Sequence, residues 1–206
     1  MQDSVIFRNF EERDVDFIYK CKNDEKLNSM IVGEFKPFSY EDAINWVHGC
    51  MEKHDSFKFW AICTNDDEKK IVGWTSISQI DSANKSACLH GIVIGDNEYR
   101  DGIVALETLL FCLNYVFNVL GCNRSYGICL ADHPVSPPLL YSLGFILEGT
   151  KRQGVYKYEK YHDVLEFAML KTEYESLYQS GELKINKLIR KFIKNIKQNS
   201  VIESGR

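Results

Sequence analysis

Residues 95–121, G-D-N-E-Y-R-D-G-I-V-A-L-E-T-L-L-F-C-L-N-Y-V-F-N-V-L-G, run from a polar turn into a long apolar segment, and the apolar run 89–94 leads straight into that turn. Strand, turn and helix in that order leave unpaired backbone N–H groups at the helix start. The helix dipole adds to their pull on an anion, so this spacing could hold a phosphate. Arg100 offers a cation, Gly102 a position without a Cβ, and Ala105 a small side chain one turn in. The amides of Asp101, Gly102, Ile103, Val104 and Ala105 are the candidate donors. Phosphate loops usually use glycines where the backbone must approach closely or take a positive φ. One glycine is a weak signal, and a plain strand-to-helix turn stands as the other reading.

Other chemistries find less support. The sequence contains no H-E-x-x-H, no cysteine–histidine cluster and no G-x-x-x-x-G-K-[ST], so metal-dependent and nucleotide-hydrolysing readings drop out. Seven cysteines (21, 50, 63, 88, 112, 122, 129) are scattered, odd in number and form no C-x-x-C pair. Reduced, buried thiols in a cytoplasmic protein are the expectation. No single cysteine stands out as a nucleophile.

The elements that must position the turn follow from pattern. Residues 5–10 read as a short strand, Asp14 as an N-cap, and the residues after it as a helix to about Asn23. Ser39-Tyr-Glu-Asp42 is a capping-box pattern opening a helix that carries Ala43, Ile44, Trp46, Val47 and Met51. Residues 57–64 and 71–80 read as strands joined by the polar turn 65–70, a hairpin. Residues 86–94 form the strand before the phosphate turn, and Gly121 sits where a left-handed cap ends the following helix. A strand at 124–130, a proline-rich segment, a short helix and strands near 145–149 and 163–170 complete the order. That is an α/β chain with an antiparallel front half and a strand–helix–strand crossover behind it.

At 206 residues, 45% apolar and 26% charged, the chain can bury one sizeable core. A net charge of −4 excludes a fold-wide nucleic-acid footprint. No run of about 18 apolar residues predicts a membrane span, and the first residues carry no apolar leader. The last 26 residues differ. Seven Lys/Arg face two Glu there, a local +5 that leaves the remainder near −9. Ile185, Leu188, Ile189, Phe192, Ile193 and Ile196 form a helical stripe with lysines opposite. Docking on the domain or on a second subunit, lying on a membrane surface, and disorder are the three readings of this tail.

With these elements in order, the chain resembles the GNAT (Gcn5-related) N-acetyltransferases, most closely the branch acting on ribosomal-protein and other protein N-termini, polyamines and amino sugars. The resemblance rests on Gly95-Asp-Asn-Glu-Tyr-Arg100, on Glu107 and Leu113-Asn-Tyr-Val-Phe117, on Leu143-Gly-Phe145, and on Glu148-Gly149 and Lys160-Tyr-His-Asp-Val164. It spans roughly residues 5–175. It implies a GNAT fold, a central mixed twisted sheet flanked by helices, with the C-terminal amphipathic helix as an extra. The expected division is a GNAT-like domain over 1–175 and a basic tail over 176–206.

The resemblance also assigns roles. Acetyl-CoA is the implied co-substrate, its pyrophosphate on the turn from Arg100 to Ala105. The family's loop has Arg or Gln, two residues, Gly, one residue, then Gly or Ala; here Ile103 stands at the middle Gly and Gly102 comes one residue early. An oxyanion contact is implied from a backbone amide of Ile92, Val93 or Ile94. His133 stands where the family has an Asn against the cofactor arm. Leu140 stands where it often has the Tyr that protonates the leaving thiolate, and Tyr141 is its neighbour. Because prolines fit only a helix's first turn, Pro134-Val-Ser-Pro-Pro138 should start this helix late, which could bring Tyr141 into that role. His90 is the candidate base, since an imidazole titrates in the right range. His162 reads as structural. Glu34, Phe35, Trp74 and Tyr156 are the acceptor-side candidates. The activity implied is acetyl transfer to a primary amine of a small molecule, an amino sugar first, or to a protein N-terminus. A homodimer and a contact through the C-terminal helix are further expectations. The alternative, carried by Ile103, His133 and Leu140, is a GNAT scaffold that binds cofactor poorly and serves as a binding or regulatory module.

Overall fold

The computed structural model describes residues 4–203. Strand β1 (Val5–Arg8) leads through a 3-10 turn (Glu12–Asp14) into α1 (Val15–Lys22) and α2 (Glu25–Ser29). Then come α3 (Tyr40–Met51), β2 (Lys58–Thr64), β3 (Ile71–Asp81) and β4 (Ser86–Ile94). After a 3-10 turn (Asn97–Tyr99), α4 (Ile103–Asn114) runs into a π-helical segment (Tyr115–Val119). The chain closes with β5 (Arg124–Leu130), α5 (Ser136–Leu143), β6 (Ile146–Lys157), β7 (Lys160–Leu170), α6 (Lys171–Gln179) and α7 (Ile185–Glu203). The seven strands form one sheet in the order β1-β2-β3-β4-β5-β7-β6, with only the β4–β5 pair parallel.

Local chemistry explains most element ends. Ser39 and Asp42 make the reciprocal capping box that opens α3. Asp14 does not cap α1. Its buried carboxylate instead takes both Arg8 guanidinium nitrogens at 2.7 Å and the Glu11 amide, pinning β1 to the turn. The strand expected near 145–149 is twelve residues long, because β6 and β7 form a hairpin whose loop residues Tyr158 and Glu159 both have positive φ. A two-residue loop of that kind matches strand twist, but its usual Asn-Gly signature is missing here.

Helices cover both faces. On one, α4, α5 and α7 bury Leu106, Leu113, Phe117, Leu143, Leu188 and Phe192 against Cys129 and Phe167 of the sheet. On the other, Ile18, Ala43 and Val47 of α1 and α3 pack on Ala61, Trp74 and Val93. Burying a side chain such as Leu188 or Phe192 contributes roughly 1.5–3 kcal/mol. The tail is therefore a docked helix over residues 185–196. Its stripe is narrower than its pattern, for Ile193 is 49% exposed. The boundary expected at residue 175 falls inside α6.

Two features open the sheet. Between Thr75 and Ile77 the β3–β4 register slips, and Gly91 takes φ +76, a bulge in β4. The β4–β5 pairing covers only Ser86, Ala87 and Cys88 against Arg124, Ser125 and Tyr126. Beyond those residues the two central strands part, and the gap lies between the starts of α4 and α5.

Candidate active site

The backbone of β4 is the first component. Gly95 donates its amide to the Val72 carbonyl of β3, and Trp74 pairs with Val93 in the same register. In an antiparallel ladder alternate residues direct their polar groups to opposite sides. Val93 therefore spends its amide on β3, while the N–H and C=O of Ile92 and Ile94 face the gap left by β5. The three amides left open by sequence are thus unequal. Ile92 and Ile94 can pair with an extended amide-bearing chain as a strand would. The Ile94 carbonyl is engaged by Arg100 Nε at 2.8 Å, and a second guanidinium nitrogen reaches the Gly95 carbonyl at 3.0 Å.

The phosphate turn comes next. Gly102 is the N-cap of α4 with φ +87, a conformation that disfavours any side chain. Asp101 Oδ1 accepts the Ile103 amide at 2.8 Å, and the Leu106 amide bonds the Gly102 carbonyl. A carboxylate thus already sits on one of the amides that would hold a phosphate. Ile103 and Ala105 are half-buried, and Val104 is packed with Val5, Ile62 and Val72. Phe192 of α7 lies on Gly102: a Cβ built there would come 2.3 Å from its Cε1. For acetyl-CoA, the opened strand edge fits the amide-bearing arm. The helix start has the donor chemistry for a diphosphate, with Asp101 as the anion now on it.

Helix α5 begins at Ser136 with both prolines in its first turn. His133 organises that start. Its Nδ1 accepts the amides of Val135 and Ser136 at 3.1 and 3.0 Å, and burial pulls its pKa below the usual imidazole value. The ring is thus neutral with its proton on Nε2, the one nitrogen left to face a ligand. Leu140 is half-buried in the core cluster. Tyr141 is 45% exposed, and its ring stands edge-on to Phe167 of β7 at 5.1 Å. Burial pushes its phenol up from the ordinary value. The side chain thus leans over β7, which flanks β5 on the side away from β4.

His90 is exposed at the bulge, two residues past the last β4 residue paired with β5. Its carbonyl accepts the Ser76 hydroxyl, which fixes the bulge. His162 Nδ1 and Asp132 Oδ2 are 2.8 Å apart, a pair that bridges β7 to the end of β5.

The acceptor-side candidates do not converge. Glu34 pairs with Lys36 on the surface, and Phe35 beside it is half-buried. Trp74 is a core residue, 6% exposed; its ring, with Phe38 and Trp46, surrounds the Lys22 ammonium, whose pKa burial lowers. Tyr156 is 63% exposed and contacts Tyr161. Next to it, Lys157 reaches across to donate to the Asn28 and Ile31 carbonyls at 2.6 and 2.9 Å, tying the hairpin to the end of α2. Sequence reasoning missed Lys157, Lys22 and Phe192, since each acts through a contact distant in sequence. Asp101 could have been found, for an Asp two residues before a helical amide is a common cap.

All seven cysteines are buried and unpaired. Burial pushes the Cys50, Cys112 and Cys129 thiols up to about 12 and Cys21 and Cys63 to about 11, far from thiolate chemistry. Among the described residues no cluster of three His, Cys, Asp or Glu could hold a metal, and no helix is long and apolar enough to cross a membrane.

Comparison with known proteins gives the geometry its context. The family model described as an acetyltransferase (GNAT) domain matches residues 4–146, a span that ends before α7. The chain is 27% identical over 173 residues to an uncharacterized prophage-derived N-acetyltransferase, YokL, of Bacillus subtilis, covering 84% of this chain and 93% of the relative. It is 26% identical over 174 residues to an uncharacterized N-acetyltransferase, p20, of Bacillus licheniformis, covering 84% and 96%. Its fold is similar to spermidine N-acetyltransferase from Vibrio cholerae in complex with CoA and spermine, with a TM-score of 0.74 at 20% identity over 84% of this chain and 98% of that one. A GCN5-related N-acetyltransferase from Brucella melitensis gives 0.72 at 21% identity, over 90% and 84%.

Proposed function

This chain belongs to the GNAT acetyltransferase family and is an acetyl-CoA-dependent N-acetyltransferase, and from that premise we propose that its acceptor is the primary amine of a small molecule. The reading is carried by the gap between β4 and β5, where the Ile92 and Ile94 backbone groups have no β5 partner. Acetyl-CoA supplies the acetyl group as a thioester, which an amine can attack directly. The site's own residues do the rest. The Ile92 N–H faces the gap and donates to an oxygen that gains negative charge there, at a fixed position. His90, at the bulge beside the gap, takes the proton of the attacking amine. Tyr141, protonated and half-exposed, returns a proton to the departing thiolate once its ring swings from Phe167 toward the gap. The amides from Asp101 to Ala105 hold the diphosphate, Arg100 adds its charge from where it braces the Ile94 and Gly95 carbonyls, and His133 offers Nε2–H to the arm.

Glu34, Phe35 and Tyr156, which do not meet in the structure, are the acceptor-side residues of this proposal and would have to close around the amine, with Trp74 behind them in the core. An amino sugar stands first among acceptors and a protein N-terminus second. A polyamine joins them because the similar V. cholerae enzyme acts on spermidine. A homodimer also belongs to the proposal, with the unpaired edge of β6 as the surface available for it, as does a cytoplasmic location.

Thiol release from acetyl-CoA across a panel of amino sugars, polyamines and N-terminal peptides tests the reading. Turnover confined to small amines supports it; turnover with peptides alone overturns the acceptor assignment. Tyr141→Phe should lower kcat at least tenfold with little change in KM, and an unchanged kcat moves the acid role to water.

A further inference from the structure

The C-terminal helix lies on the turn that this reading gives to the cofactor. Phe192 is 6% exposed and rests on the Cα of Gly102, where α4 starts. Three residues on, Asn195 Nδ2 donates to the Ser142 hydroxyl of α5 at 2.9 Å. Leu188 is fully buried between them and the core. The helix thus runs from the start of α4 to the last turn of α5. Gly102, the one glycine of the turn, is buried by this contact.

The attachment is one apolar stripe and one ionic cluster. Among the described residues of α7, Leu188 and Phe192 are buried, Ile185, Ile189 and Ile196 pack half-buried on the core, and Ile193 is 49% exposed. The first turn of the helix is held by Glu182, which pairs with Lys187 at 2.7 Å and Lys191 at 2.9 Å in an exposed cluster that salt will screen. The connection from α6 passes through Gly181 at φ +67, a short link between two helices. Undocking α7 would expose this stripe and the core under it, but it would break no ladder of the sheet, which β1–β7 make among themselves.

We propose that α7 is a displaceable cover of the pyrophosphate turn, and that acetyl-CoA binding and the docking of Phe192 on Gly102 exclude one another. The inference rests on the cofactor reading above. Its consequence follows from the two-state equilibrium. If the helix is docked in nine molecules of ten, the apparent Kd is about tenfold above that of the uncovered turn. Asp101 is a second competitor, local to the turn, since its carboxylate holds the Ile103 amide that a phosphate oxygen would take.

The test uses the full-length chain, CoA as ligand, calorimetric titration for affinity and amide hydrogen exchange over residues 185–196 for docking. CoA should speed exchange in α7. Phe192→Ala should bind CoA about tenfold more tightly than the parent. Asn195→Ala leaves the Ser142 hydroxyl bonded to the Pro138 carbonyl, so it does not threaten the fold, and it should move affinity in the same direction by a smaller factor. Slower exchange in α7 with CoA, or weaker binding by Phe192→Ala, overturns the proposal and makes α7 a wall of the cofactor site. Absence of CoA binding in the parent and both variants overturns the cofactor reading itself, and this proposal with it.

Discussion

His133 should cap α5 only while its ring is neutral. Its Nδ1 accepts two amides of the first turn, those of Val135 and Ser136, and a positive ring there would face both the lost bonds and the positive end of the helix. Burial is the larger influence on its pKa and lowers it from 6.5; the neighbouring Asp132 charge opposes that. The unfolded chain therefore binds more protons between the folded value and 6.5. The cap's stability is fully present above pH 6.5 and is lost as pH falls through the folded value. A side-chain cap is worth about 1–2 kcal/mol. His133→Ala should lower Tm by roughly 2–8 °C at about pH 8, taking about 2–4 °C per kcal/mol for a chain this size. Near pH 5, below the unfolded value of 6.5, the linkage has removed part of that stability, so the gap between parent and variant should shrink. His133→Asn, whose Oδ1 can accept the same amides at any of these pH values, should match the parent at pH 8 and be flatter below. The assay is thermal unfolding by circular dichroism at both pH values for all three proteins. A parent–Ala difference that is equal at pH 8 and pH 5 would refute the neutral-cap argument.

Further expectations follow from other contacts. Gly102→Ala adds a Cβ at φ +87 and 2.3 Å from Phe192, so it should cost about 2 kcal/mol in urea unfolding; a cost near zero would mean the turn can relax. His90→Gln should flatten the acidic limb of the kcat/KM pH profile, and an unchanged limb would remove His90 as base. The Glu182 carboxyl, held down at about 2 by its hydrogen bonds to Lys187 and Lys191, contributes stability above its ordinary 4.5 that is lost as pH falls toward 2. The protection of the first turns of α7 against hydrogen exchange, relative to the intrinsic rate at each pH, should therefore fall in acid and at about 1 M salt, and Glu182→Gln should show little of either effect.

Much of the frame is legible in the sequence. The capping box at Ser39, the hairpin of β2 and β3 and the helix after Gly102 follow from period and punctuation, because those signals act within a few residues. The family's phrases, spread from Gly95 to Val164, fixed the order of the strands that must surround the gap. The amphipathic stripe of α7 was visible too, but not the surface that it covers.

Tertiary structure decided the site. Which of Ile92, Val93 and Ile94 offers an amide depends on how β4 pairs with β3 and where β5 leaves it, and pairing is invisible in one strand's sequence. The same holds for Arg100, which reads as a phosphate ligand and here bonds carbonyls of the strand before it. Trp74 reads as an acceptor wall and is core, because an aromatic residue on a strand gives no sign of which face will be covered. The meeting of Phe192 with Gly102 joins residues ninety positions apart. The sequence by itself determined the elements, their order and the chemistry available to them, since these are set by short-range sterics and hydrophobic period. Only the folded chain decided which backbone groups face the gap and which helix covers the turn, since those depend on contacts between segments that are neighbours in space alone.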